Sequence, residues 1–323
     1  MTLLKRLVLV TSMVSALVVS PCIVADEEGP IDWLFPVIPA TSAPSWDDSK
    51  ALSLNHSRVH YTQRQVNDAF NAPDWFPETH SAMPDIVAHG RKPDVLACAF
   101  CHTATGQGRP ENAALAGLSA AYILRQLEEM RSEHRKAVGP DAYLPISNMA
   151  KIAARLSDDE IKAAADYFSK QALGERVRVV EAERIPCVQR AYWIYVEKSS
   201  TCKQDLGVRL FEVAPDVTRH ELRDETMPYV AYVPVGSIAR GRQLSLDAGA
   251  TQACATCHGN TLRGTDIAPP IAGRSPTYLL RQMVAFQNHT REGERAILMQ
   301  PVVSGMSIQD MIAAAAYAAT LKP

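Results

Sequence analysis

The 323-residue chain lacks charge imbalance: 33 Lys and Arg stand against 35 Asp and Glu, a formal net charge of -2. Without a basic excess it carries no electrostatic footprint for nucleic acid. After its first 19 residues it also lacks long apolar runs, so no later stretch could cross a bilayer. It offers no convincing set of catalytic side chains. Acidic groupings such as Asp158, Asp159 and Glu160 read as charge at a helix N-terminus, not as an acid–base pair. The bulk that remains is ordinary, 47% hydrophobic and 21% charged, and long enough for two domains with separate cores.

The single apolar run lies at the start. Lys5 and Arg6 precede residues 7–19, and Ala25 closes a small-residue cleavage site before Asp26, so residues 1–25 read as a cleaved secretory signal; the run is short for an anchor helix. Pro21 occupies the position where lipid attachment at Cys22 would need a small residue, and Cys22 is expected to leave with the signal. The mature chain is then expected in the periplasm, an oxidising compartment, with Cys98, Cys101, Cys187, Cys202, Cys254 and Cys257.

An internal repeat organises the rest. A shift of 156 lays ACAFCH (97–102) on ACATCH (253–258), SAAYILRQL (119–127) on SPTYLLRQM (275–283), and Arg135 on Arg291. Further on, MAKIAARLSDDEI (149–161) falls on MQPVVSGMSIQDM (299–311) at a shift of 150, so the second copy lacks six residues of loop. Both copies end in a predicted helix. Ser157 and Glu160 form a capping box, with Ile161, Ala164, Ala165 and Phe168 following at helical spacing; Ser307 and Asp310 take the equivalent places.

The copies are separated by RVRVVEAERI, AYWIYVE, GVRLFEV and YVAYVPV, which are Val- and Tyr-rich and partly alternating, so residues 174–235 are expected to form a few strands. Cys187 and Cys202 sit there, and export favours a disulfide between them over free thiols. Before the first copy, residues 26–83 contain Trp33, Trp46, Trp75 and many prolines, and are expected to form an extended arm on the first domain.

Each Cys-x-x-Cys-His could bind zinc, exchange disulfides or hold haem. Zinc needs about four ligands and no second cysteine pair lies near either motif. A thioredoxin-like pair would want a preceding strand and a parallel sheet. In the haem reading the two thiols add to the vinyl groups, and the adjacent histidine reaches the iron from one face. Candidates for the other face are Met130, Met149 and His134 in the first copy, and Met283, Met299 and Met306 in the second. The repeat pairs Met149 with Met299 and leaves the other methionines unmatched, as core packing would.

With these residues in place, each copy resembles a class I cytochrome c, and the pair resembles the tandem dihaem cytochromes of the cytochrome c4 type. The matching residues are CAFCH and CATCH, the LAG at 115–117 and IAG at 271–273, Tyr122 with Gln126 and Tyr278 with Gln282, and a methionine followed after seven residues by a capping serine. The resemblance implies a mainly α chain: two cytochrome c helical domains (84–173 and 236–323), joined by a small strand-rich insert (174–235), with the arm (26–83) outside the likeness. It implies two covalently bound haem c groups held by Cys98, Cys101, Cys254 and Cys257, with His102, Met149, His258 and Met299 on iron. The family's proline carbonyl that receives the haem histidine is matched by Pro269, whereas the first copy has Ala113. Arg135 and Arg291 resemble an arginine beside a haem propionate; the alternative is exposed, solvated arginines.

The implied function is single-electron transfer between a donor dehydrogenase or quinol-oxidising complex and a terminal acceptor. A subunit of a periplasmic dehydrogenase is the alternative, and a dihaem peroxidase a further one. Partners are then redox proteins, with membrane association only through them. The second copy (237–323) has eight Arg or Lys against five Asp or Glu, and the first (84–173) eleven of each, which makes the second the expected dock for an acidic partner.

Overall fold

The computed structural model describes residues 31–37, 47–141, 143–191, 193–247 and 253–323. The expected signal, with Ala25 and Cys22, lies outside them, as does Trp46. Among the described residues no helix is long and apolar enough to cross a membrane.

Two short helices, α1 (Gln63–Val66) and α2 (Asp85–Ala88), precede the first motif. The first copy then builds α3 (Cys98–His102), α4 (Ala120–Arg131), α5 (Leu144–Ala153) and α6 (Asp158–Phe168). Ser119 starts α4 by accepting the Tyr122 N–H at 3.2 Å, and Ile123, Leu127 and Met130 bury one face of it. The expected capping box starts α6: Ser157 N donates to Glu160 Oε2 at 2.8 Å and Glu160 N to Ser157 Oγ at 3.3 Å. Phe168, wholly buried, anchors that helix in a core shared with Val87, Val95 and Leu156.

Five strands follow: β1 (Val177–Glu181), β2 (Arg184–Ala191), β3 (Ile194–Asp205), β4 (Phe211–Ala214) and β5 (Tyr229–Val233), with the helix α7 (Val217–Glu221) before β5. They form one mixed sheet in the order β1-β5-β4-β3-β2. Cys187 and Cys202 are disulfide-bonded across the β2–β3 hairpin, beside a register shift on either side of Cys187. The sheet is more than a small insert. Leu210 and Val233 share one core with Leu280, Ile312 and Ala316 of the second copy, so the boundary at 235 separates strands from helices without separating two cores. "Mainly α" therefore describes the two flanking copies rather than the middle of the chain.

The second copy builds α8 (Ser237–Leu246), α9 (Ala255–His258), α10 (Pro276–Gln287), α11 (Gln300–Val303) and α12 (Ile308–Thr320). Helices α8 and α12 cross at Gly241, where a Cβ would collide with the Ala313 backbone and the Tyr317 side chain. A buried carboxylate on β4 caps α10: Glu212 Oε2 accepts from Ser275 Oγ at 2.5 Å and from Thr277 N at 3.3 Å. Burial pushes the Glu212 pKa up.

The arm divides its contacts. Residues 47–83 touch the first copy, with Ala97 N donating to Ala69 O at 2.9 Å, and also the chain just after α7, where Leu222 shares a core with Leu54, Val66, Trp75 and Phe76. Residues 31–37 depart from the expectation: Leu34 and Phe35 enter the core of the second copy, and Trp33 meets Phe211 of the sheet edge-on at 6.2 Å. Ile31–Pro323 form one compact unit.

The repeat survives in backbone conformation. Left-handed residues recur at the 156 shift: Thr103 (φ 67°) with Gly259 (80°), Gly108 (66°) with Gly264 (85°), Gly117 (73°) with Gly273 (69°), and Glu133 (60°) with His289 (54°).

Candidate haem site

A cavity of about 630 Å³ lies between the first copy, the arm, α7 and α10 of the second copy, and its walls include Cys98, Cys101, His102 and Met149. Helix α3 carries the first three; the chain turns back through Thr103, and Gly108 N donates to His102 O at 2.9 Å. This loop delivers the acceptor for the histidine. His102 Nδ1 lies 2.7 Å from Ala113 O, and since a carbonyl can only accept, Nδ1 carries the proton and Nε2 presents a lone pair. His258 makes the same bond to Pro269 O at 2.7 Å. The alanine at 113 thus does not lengthen the bond. Burial lowers the pKa of both imidazoles and favours the neutral, ligating form.

Burial also pushes the Cys98 thiol up to about 12 and raises that of Cys101, so neither is a ready thiolate. Among the described residues no cluster of three or more His, Cys, Asp or Glu could hold a metal ion.

The methionines part company. Met149, half-buried on α5, faces the cavity that His102 lines. Met299, between a 3₁₀ turn (Ala296–Leu298) and α11, packs with Met306 and Met283 against Phe286 and Val303. Met130 is a core residue of α4, and His134 is exposed and contacts Ser132 at 3.0 Å.

Arg135 and Arg291 are not solvated: they are 7% and 5% exposed. Arg135 donates to Gln126 Oε1 (2.8 Å), Gln282 Oε1 (3.0 Å) and Tyr278 OH (3.4 Å). Arg291 donates to Gln282 Oε1 (2.9 Å), Gln126 Oε1 (2.6 Å) and Tyr122 OH (2.8 Å). These hydrogen-bonding side chains are neutral, the buried Glu129 carboxylate accepts from Gln126 Nε2 at 2.9 Å and acts on Arg291 electrostatically, and Arg291 Nε is buried without a hydrogen-bond partner among the described residues. Two guanidiniums so held, on the wall of the cavity that Cys98 and Cys101 line, suit an anionic group such as a haem propionate. At Tyr278 burial would raise the pKa, but Arg135 and Arg291 together outweigh it and the net direction is down.

A second polar cluster was not anticipated. Glu111, Arg109, His220 and Arg223 line the same cavity, with Glu111 and His220 side chains each 2% exposed and 3.6 Å apart. Arg223 lies 4.0 Å over the Phe100 ring and donates to Phe100 O (3.1 Å) and Val66 O (2.8 Å), so the sheet region and the arm together cover the first motif.

The family model described as cytochrome c matches residues 87–171. Cytochrome c-554(548) of Halomonas halodenitrificans is 38% identical over 65 residues, 20% of this chain and 78% of that protein. The chain belongs to the cytochrome c family. Haem c bound through thioethers, and electron transfer by it, follow from that membership. The thiosulfate dehydrogenase electron acceptor of Stutzerimonas stutzeri is 28% identical over 235 residues, 72% of this chain and 82% of that protein. Among solved structures, a thiosulfate dehydrogenase of Marichromatium purpuratum superposes with a TM-score of 0.48 at 26% identity, covering 72% of this chain; this chain spans 38% of that one.

Proposed function

We propose that the protein is an exported, periplasmic dihaem cytochrome that accepts single electrons from a dehydrogenase and passes them to a second redox protein. The observation that carries this reading is the reciprocal network of Tyr122, Gln126 and Arg135 with Tyr278, Gln282 and Arg291, which joins two Cys-x-x-Cys-His copies inside one compact unit. Haem supplies a one-electron couple when bound. Around it, Cys98, Cys101, Cys254 and Cys257 would form the thioethers, and His102 and His258 would offer Nε2 to iron, their tautomers fixed by Ala113 and Pro269. Met149 and Met299 would offer their thioethers to iron and favour the reduced state. Arg135 and Arg291 would neutralise the propionates.

The likeness to a thiosulfate dehydrogenase electron acceptor supports a dehydrogenase as donor. A permanent subunit of such an enzyme is the second reading, favoured by the arm and α7 segment laid over the first motif. Against a peroxidase, each copy supplies its own histidine and methionine, which would leave no open iron position.

The test is a pyridine haemochrome count per chain with haem-stained denaturing gels. Two haems support the reading and one or none ends it. Size-exclusion of the native protein from periplasm then separates carrier from subunit.

A further inference from the structure

One buried arginine touches both loops that carry the acceptors of the motif histidines. Arg274 is 4% exposed. It donates Nε–H to Pro270 O at 2.7 Å within its own copy, and Nη1–H to Ala114 O at 2.9 Å and Nη2–H to Ala116 O at 3.0 Å in the other. Ala114 and Pro270 are equivalent under the 156 shift, and each directly follows the residue whose carbonyl receives His102 or His258. The arginine itself has no repeat partner: its equivalent in the first copy is Leu118.

This asymmetry has a chemical counterpart. Pro269 and Pro270 are consecutive, and their rings fix φ, so the second copy holds its acceptor carbonyl by its own chain. Asn112, Ala113 and Ala114 have no such lock, yet the His102 bond is equally short. Two charge-assisted bonds from Arg274, immediately past Ala113, restrain that loop from one side. Arg281, also from the second copy and buried, restrains it from the other by donating to Pro110 O at 2.8 Å.

We propose that Arg274 is a positioning residue for the first haem: it holds the 113–116 loop so that Ala113 O keeps its bond to His102 Nδ1–H. Through that bond it sets how strongly the imidazole donates to iron. One copy thereby tunes the other. The proposal rests on both motifs carrying haem.

The experiment uses the reduced holoprotein. Arg274→Lys keeps the charge and loses the fork, and Arg274→Leu installs the residue of the first copy. Exchange of the two histidine Nδ1–H protons is followed by NMR, and both midpoint potentials by titration. In Arg274→Lys, His102 Nδ1–H is expected to exchange about tenfold faster, the scale of one hydrogen bond. The first potential rises, because a more weakly bonded imidazole stabilises the oxidised iron less; His258 and the second potential move much less. Adding Ala113→Pro should restore both values. Among the described residues the Ala113 N–H makes no hydrogen bond, so the proline removes none.

Equal shifts of both potentials with unchanged exchange would mean that only charge acts, and would overturn the proposal. So would unchanged values, or an Ala113→Pro variant that fails to restore them. If Arg274→Leu does not fold, Arg274→Lys and its rescue decide alone. A haem count below two in the unsubstituted protein would overturn the dihaem reading instead.

Discussion

Arg135 and Arg291, 156 positions apart, pair across an antiparallel backbone bridge that joins the two copies. Around it the bonds are reciprocal: Lys136 N donates to Thr290 O and Glu292 N to His134 O, each at 2.7 Å, and these residues exchange places under the repeat. The bridge therefore lies on a local two-fold relation between the copies, with both guanidiniums buried at its centre. Burying two like charges is unfavourable unless anions compensate them, and the buried Glu129 carboxylate near Arg291 supplies one such charge, leaving one guanidinium for a further anion.

That arrangement predicts the effect of removing either charge. A buried guanidinium favours the reduced iron, so Arg135→Leu or Arg291→Leu should lower the haem potentials, by roughly 40–90 mV, which is about 1–2 kcal/mol for a one-electron couple. Because each arginine bonds the glutamines of both copies, each single change should move both potentials, and the double change should be non-additive. Spectropotentiometry of the three variants checks this. A shift confined to one haem would contradict the shared network.

The ligand set is tested by methionine replacement. Met149→Ala and Met299→Ala should each abolish half of the weak near-infrared sulfur-to-iron band and lower one potential. Met306→Ala should leave the band intact, although Met306 shares a cluster with Met299. Loss of the band in Met306→Ala would transfer the ligand role in the second copy.

Local patterns were legible wherever one short stretch dictates its own structure. The capping box at Ser157, the helix after Ser307 and the strands of 174–235 were all readable, because caps and β-rich alternation act within a few residues. The carbonyl acceptors of the motif histidines were readable from the likeness. What was not readable depends on chain segments far apart in sequence. Nothing local says that Arg274 reaches Ala114 across 160 positions, or that Trp75 Nε1 donates to Leu222 O across 147. Arg135 could be read as solvated because burial is a tertiary property. The one available signal for Arg274 was its departure from the repeat, Arg against Leu118.

Acid should weaken the fold through His220. Burial holds its pKa down at about 4, against an ordinary 6.5, despite the Glu111 carboxylate opposite it. Between those values the unfolded chain binds the proton and the folded chain does not, so stability is full above pH 6.5 and falls as pH drops toward 4. The scale is about 3 kcal/mol from 1.36 kcal/mol per pKa unit. Denaturant unfolding at several pH values should show this loss, and His220→Gln should flatten it. An unchanged slope in that variant would assign the acid sensitivity elsewhere.

Packing at the α8–α12 crossing sets a stability limit. Gly241→Ala places a methyl against the Ala313 backbone, which cannot withdraw as a flexible side chain could. The expected loss is about 1–3 kcal/mol, as for overpacked cores. Potentials should change little, since Gly241 lies on the helix crossing rather than in the motif; thermal unfolding with matched potentiometry separates the two effects.

Partner docking should favour the second copy. At the first motif, Glu111 is buried beneath His220, and Arg223 covers Phe100. The residue equivalent to Glu111 is Ile267, 55% exposed, and Ile297 and Leu298 are 56% and 53% exposed. Their segments are joined: Arg295 Nη1 donates to Asp266 O at 2.6 Å, and Thr265 Oγ1 ties the loop to Cys257 O at 2.6 Å. An open apolar patch beside the second motif suits a redox partner that touches down there through apolar contact, because with Arg274, Arg281 and Arg291 buried the other Lys and Arg of that copy only balance its Asp and Glu. Ile297→Glu with Leu298→Glu should slow oxidation of the reduced protein by its partner about tenfold while leaving the spectra unchanged. The same stopped-flow instrument tests the carrier reading, because two closed, six-coordinate irons should neither bind carbon monoxide readily nor turn over peroxide. Fast reaction with either ligand at neutral pH would put an enzyme ahead of a carrier, and unchanged partner rates in the double variant would move the dock away from this patch.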